Sequence, residues 1–259
     1  MGITTDTISV VSRKGGTGKT TTAFNLAYSL VELGGNVLLI DLDSQQNLTD
    51  TVNLVEEVDY TIHDVIKERA KPREAIFKTD IRSIDLIPAA IELADLEVEL
   101  SDIEDKEEIL AEKLQPLKGE YDYIIIDTAP SLDSLVINSL VASDYALVTV
   151  RTSLYSFKGI DQVMEIIELI QNSLNPELEI LGLLVTQVDS RTNVSTEFIE
   201  DLKEIYEDKV FDTIINKNVA LVESVLEGLP CYLYDSNAKG SKQYMQLAKE
   251  VRKGVMLNG

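Results

Sequence analysis

The stretch SVVSRKGGTGKTTTAFNLA, residues 9–27, constrains the fold more than any other part of the chain. A β-branched run passes straight into a glycine-rich loop. The loop passes into a helical pattern, with Phe24, Leu26, Ala27, Leu30, Val31 and Leu33 recurring on one face. Gly15, Gly16 and Gly18 let the backbone approach an anion closely. Successive amides and the positive end of the helix then face that anion. The usual phosphate-loop spacing is G-x-x-x-x-G-K-[ST]. Gly18, Lys19 and Thr20 supply its second half, with Thr17 inside the loop. Arg13 stands where the first glycine belongs, and a second lysine, Lys14, follows it. Lys19 is suited to bridge terminal phosphates, and the Thr20 hydroxyl to bind Mg²⁺.

Other strand signals follow at intervals: NVLLIDLD, SIDLIPA, YDYIIIDTAP, YALVTV and EILGLLVTQVD. They are continuous apolar runs, as expected of strands buried on both faces. Helical patterns lie between them over roughly 61–70, 91–118, 131–141, 157–173 and 194–206. A closing helix is expected in SKQYMQLAKEVRKGV, and DKVFDTII reads as a further short strand. Strand–helix alternation along the chain predicts an α/β fold: a mostly parallel twisted sheet with helices on both faces. No repeat or Pro/Gly linker divides the 259 residues, so one domain over 1–259 is expected.

Two acidic positions suit the same ligand. Asp127 ends a buried strand, where a carboxylate can hold Mg²⁺ through water. Asp41 and Asp43 end the second strand two residues apart and start on one side of an extended chain. One can serve the metal while the other orients an attacking water.

The charge is −22 overall and uneven. Residues 91–112 carry ten acids against one base, whereas residues 190–259 are only two charges negative. The acidic block reads first as a solvated helix face, and second as a docking surface for a basic partner. Net acidity disfavours nucleic acid, but the near-neutral C-terminal part leaves room for a local basic face. No apolar run approaches the ~18 residues of a membrane span, and the N-terminus lacks a secretory pattern. A cytoplasmic protein is expected. The single cysteine, Cys231, permits no disulfide framework and is expected to be buried. His63 is expected to be a surface or capping residue.

KGGTGKTT, LLIDLDSQQNLT, YDYIIIDTAPSL and the late NKNVALVESVLEGLPCYLYDSNAKGSKQYMQLAKEV together resemble the ParA family of partitioning ATPases, from residue 7 to about 253. A lysine just before the glycine pair resembles the deviant phosphate-loop group, which also holds MinD-like, nitrogenase iron-protein and arsenite-pump ATPases. The resemblance implies ATP and Mg²⁺ as cofactors and an ATP-dependent homodimer that sandwiches two nucleotides. Lys14 then reaches the nucleotide of the other subunit, an arginine-finger role. Lys19 contacts the terminal phosphates, Thr20, Asp41 and Asp127 serve the metal, Asp43 orients the water, Thr21 touches the α-phosphate side and Asn218 approaches the adenine. The family function is segregation of DNA, nucleoid association included, with a ParB-like partner that controls hydrolysis. The chain would be the short type, without an N-terminal helix-turn-helix.

Two departures stand out. Gln46 replaces a glycine in the loop after the aspartate pair, which predicts a stiffer loop. Ala220 replaces an arginine, which weakens the expected nonspecific DNA surface built on Arg191 and Lys217, with Lys239, Lys242, Arg252 and Lys253 as further candidates. The competing readings are a MinD-like membrane-cycling ATPase, whose amphipathic tail is short here, and a P-loop phosphotransferase acting on a small molecule. One cysteine per chain is too few for an iron–sulfur cluster.

Overall fold

The computed structural model describes residues 4–52, 58–100, 103–153, 156–189 and 191–258. Seven strands form one sheet in the order β3-β4-β2-β5-β1-β6-β7. They are β1 (Asp6–Val11), β2 (Val37–Leu42), β3 (Phe77–Lys78), β4 (Ile84–Ile87), β5 (Tyr123–Thr128), β6 (Tyr145–Arg151) and β7 (Glu179–Thr186). All neighbours run parallel except the two-residue β3, an antiparallel edge absent from the sequence reading. Every residue of β2 and β5 is buried, which accounts for their unbroken apolar sequences.

The helices are α1 (Lys19–Glu32), α2 (Asn47–Thr51), α3 (Ile62–Ile66), α4 (Leu96–Glu99), α5 (Ile109–Leu114), α6 (Ser134–Val141), α7 (Ser156–Ser173), α8 (Asn193–Tyr206), α9 (Val219–Leu226), α10 (Cys231–Tyr234) and α11 (Lys239–Asn258). Phe24, Leu26 and Leu30 of α1 pack with Tyr244, Leu247 and Val251 of α11 in one core. Separate cores lie under α3 and α5, and under α6, α7 and α8. α1 stops where Gly34 takes φ +96, with the Gly35 amide donating to Leu30 O at 3.0 Å and the Gly34 amide to Val31 O at 2.8 Å.

Three expectations need correction. The acidic stretch 91–118 is no long helix. Its described residues form 3₁₀ turns at Ile91–Asp95 and Gln115–Leu117 around the short α4 and α5. Dense like charge at helical spacing opposes a continuous helix, and Pro116 and the left-handed Asp105 (φ +55) interrupt it further. DKVFDTII forms no strand. The segment meets β7 only singly, through Phe211 N–H to Leu183 O at 3.1 Å and Ile215 N–H to Val185 O at 2.9 Å. The amides of Asp212 and Thr213 donate instead to the Glu250 carboxylate, at 3.0 and 3.3 Å. His63 is buried, not on the surface. An ion pair of 2.8 Å joins Lys67, just after α3, to Glu99 of the acidic segment. Cys231 is fully buried, as its sequence suggested.

Candidate nucleotide site

β1 lies between β5 and β6, and the chain leaves it toward β2 on one side. A crevice at the carboxyl end of such a strand is where open α/β sheets bind ligands. Residues 12–18 cross that end. Gly16 (φ +68) and Gly18 (φ +82) take left-handed conformations. Space does not explain Gly16, because a Cβ there would meet nothing within 4 Å; the dihedral does. Gly15 is different: a Cβ there would lie 3.9 Å from Pro130.

The loop is held from β6 and β7, the next two strands beyond β1. The Thr186 hydroxyl donates to Thr17 O at 2.6 Å, Thr17 Oγ1 and Thr149 Oγ1 share a bond of 2.9 Å, and Gln187 Nε2 donates to Gly16 O at 2.8 Å. Gln187 is left-handed (φ +52), a conformation uncommon outside glycine. No sequence signal pointed to it.

A cavity of about 420 Å³ opens over the loop, lined among others by Lys19, Thr20, Asp43, Pro130 and Gln187. A second, of about 450 Å³, adjoins it through Gly18, Thr21 and Gln187 and is walled by Asn216, Asn218, Val222 and Tyr244. Asn218 caps α9, its Oδ1 accepting from Ala220 N–H at 2.9 Å. Gln243 fixes the neighbouring Asn216 through bonds of 3.1 and 2.7 Å.

Beneath the loop, register pairs Asp41 with Asp127 on adjacent strands, and both are fully buried. Their surroundings differ. Asp41 Oδ2 accepts from the amide and the hydroxyl of Thr49, both at 2.8 Å, and Oδ1 accepts from the Asp43 amide at 3.1 Å. Neither oxygen of Asp127 has a partner with hydrogen-bond geometry among the described residues, although the Thr20 hydroxyl lies close enough to act on it. Burial, and then the charge of Asp41, push the Asp127 carboxyl far above the ordinary carboxylate range. Lys19 is 7% exposed. Desolvation lowers its pKa, while the charges of Asp127 and Asp43 oppose that shift.

The donor set therefore fits Mg²⁺: a hydroxyl and a buried carboxylate with uncommitted oxygens. No group of three or more His, Cys, Asp or Glu among the described residues could hold a metal alone. That agrees with an ion that keeps waters and shares its shell with phosphate.

The Asp127 shift carries a stability prediction. Between the ordinary carboxylate range and the raised value, the folded chain keeps a proton that the unfolded chain has released. Stability therefore falls as pH rises through that window. Asp127→Asn removes the penalty. Without nucleotide or metal, the variant is expected to melt above wild type at about pH 8, and the gap to close toward about pH 4. Scanning fluorimetry checks this, and a variant melting below wild type at the higher pH contradicts it.

Asp43 is buried at the cavity edge, with Oδ1 accepting from the Gln45 amide at 3.0 Å. The turn that follows puts Gln46 at φ +56, ψ +25, so this departure from glycine carries backbone strain. Gln46→Gly is expected to stabilise the fold by about 1 kcal/mol, read from urea unfolding. Destabilisation would show that the Gln46 side chain contributes more than its backbone costs.

Lys14 does not point at these groups. Its Nζ lies 3.4 Å from Ser153 Oγ, and its Cε 3.8 Å from a Cβ position on Gly159. Arg191 and Lys217 stand near each other but not alone. The Arg191 guanidinium grips Asp189 through two bonds, 2.9 and 2.8 Å, and Lys217 also acts on that carboxylate.

An AAA-domain family model matches residues 5–180. The sporulation initiation inhibitor protein Soj of Bacillus subtilis (strain 168) is 40% identical over 94% of this chain and 97% of its own length. A chromosome partitioning protein ParA of Myxococcus xanthus (strain DK1622) is 36% identical over 95% of this chain and 87% of its own. Among solved structures, a cobyrinic acid a,c-diamide synthase from Mycobacterium smegmatis with bound ADP and magnesium superposes with a TM-score of 0.85, at 30% identity over 97% and 96% of the two chains.

Proposed function

The chain belongs to the AAA-domain ATPases of the Soj/ParA chromosome-partitioning family, and from that premise we propose that it is a switch in which Mg²⁺–ATP drives dimerisation and hydrolysis resets the monomer. The observation that carries the reading is Asp127, a buried carboxylate with no partner of good hydrogen-bond geometry among the described residues, beside Lys19 and Thr20 under a glycine loop. Thr20 and Asp127 would hold Mg²⁺, which neutralises charge on the phosphates. The loop amides from Gly15 to Thr21 cradle the phosphates, with Lys19 as their fixed cation. Asp43 orients the attacking water from the cavity edge. Asp41 has both oxygens engaged and acts as a positioning residue, tying Thr49 and the Asp43 amide to the end of β2. Thr21 and Asn218 border the adjoining cavity, whose partly apolar walls suit a purine. Lys14 swings from Ser153 to the partner's phosphates, so the dimer forms only around nucleotide.

A ParB-like protein is the proposed regulator and DNA the proposed cargo. No helix among the described residues is long and apolar enough to cross a membrane. The DNA surface is weak here: Ala220 adds no charge and Asp189 occupies Arg191. Affinity scales with the cations free to engage phosphate. In the ATP state at low salt, Asp189→Ala should tighten duplex binding roughly 3- to 10-fold, and Arg191→Ala should weaken it for every sequence. Filter binding with light scattering tests both steps. A dimer that ignores DNA in all three proteins overturns the cargo assignment. A wild type that stays monomeric with ATP and Mg²⁺ overturns the switch, in favour of a small-molecule synthase of the kind the M. smegmatis structure is named for.

A further inference from the structure

The acidic block folds around a groove that the nucleotide site does not use. It lies between α3, Leu100 with residues 103–105, and α5, has a volume of about 480 Å³, and shares no lining residue with the cavities over the phosphate loop. Its apolar lining is Ile66 and Leu100, both buried, the half-buried Ile109, and Ile103, which is 45% exposed; the other lining side chains are charged. The two lysines at the groove are already bound, Lys67 to Glu99 and Lys113 to Glu68. Glu104, Asp105 and Glu112 line the groove and have no ion-pair partner among the described residues. A solvated acidic face needs no apolar cleft, and an apolar cleft alone needs no carboxylate rim. Together they match one kind of occupant.

We propose that this groove docks a basic amphipathic segment of a partner protein. Its aliphatic side chains enter between Ile66, Leu100, Ile103 and Ile109, and its lysines or arginines meet Glu104, Asp105 and Glu112. The volume lies within the range of pockets that enclose anchoring groups. Apolar anchors inside a charged rim supply affinity, while the rim supplies specificity and a fast approach. The net acidity of the segment, ten acids against one base over residues 91–112, extends that field well beyond the groove.

The test uses the full chain and a fluorescein-labelled peptide of about 16 residues, with Leu and Lys at helical spacing. A second peptide replaces every Leu by Ser. Anisotropy is read at about 0.15 M salt, where long-range attraction is screened. The double variant E104K/E112K should bind the Leu–Lys peptide at least about ten-fold more weakly than wild type. The double variant E200K/E204K reverses the same charge on exposed positions of α8 and should lose less than about three-fold. The Ser–Lys peptide should bind at least about ten-fold more weakly than the Leu–Lys peptide. Melting curves confirm that both variants fold. Equal losses in the two variants would reduce the effect to net charge and overturn the proposal. Equal affinity for the two peptides, or no binding to wild type, would do the same. None of these readings depends on nucleotide, so failure here leaves the ATPase assignment standing.

Discussion

Lys19→Ala is expected to lower ATP affinity by about 10²- to 10³-fold, because it removes one partner from a buried set of charges. Lys19 is almost fully enclosed, and burial alone works against its charge. The charges of Asp127 and Asp43 oppose that effect. Without it, incoming phosphates would face two carboxylates and only backbone dipoles in compensation. Mg²⁺ cannot substitute fully, since its proposed ligands, Thr20 and Asp127, are used in either case. Titration with a fluorescent ATP analogue gives the affinity. A variant that binds as wild type does would show that the loop amides suffice and that Lys19 is no phosphate anchor.

Asp43→Ala should leave that affinity nearly unchanged and slow hydrolysis about 10²- to 10³-fold, the range for losing a group that positions a reacting water. The Asp43 carboxylate accepts a bond from the Gln45 amide and lies at the edge of the cavity over the phosphate loop. The variant is therefore expected to accumulate as an ATP-bound dimer. Lys14→Gln should do the opposite. It keeps the cradle and loses the cation proposed to cross the dimer, so ATP binds but the dimer fails to form. The Lys14 amine lies 3.4 Å from Ser153 Oγ. Light scattering with ATP and Mg²⁺ separates the two variants. A monomeric Asp43→Ala protein, or a Lys14→Gln protein that dimerises normally, contradicts the roles assigned.

What could be read from consecutive residues was the phosphate loop, the parallel sheet and the aspartates at the strand ends. Each is a local pattern. Glycines stand where the dihedral angle turns positive, β-branched runs stand where both faces are covered, and a carboxylate stands next to last in a buried strand. Hydrophobic periodicity likewise located α7 and α8 to within a residue or two. It misjudged 91–118, because like charges at helical spacing mimic an amphipathic helix in composition while opposing one in energy.

Only the tertiary structure could decide what joins distant positions. Gln187 reaches Gly16 across 171 residues, Glu250 takes the amides that would have made an eighth strand, and His63 ends up buried. It alone separates two aspartates that look alike in sequence. Thr49 folds back to satisfy Asp41, whereas no described residue gives Asp127 a bond of good geometry. It also sets Asp189 against Arg191, although those residues are only two apart, because the loop's turn brings the carboxylate into the fork of the guanidinium. Spacing along a chain fixes which groups can share a face. Which of them keep a free charge depends on donors and acceptors that arrive from elsewhere when the sheet closes.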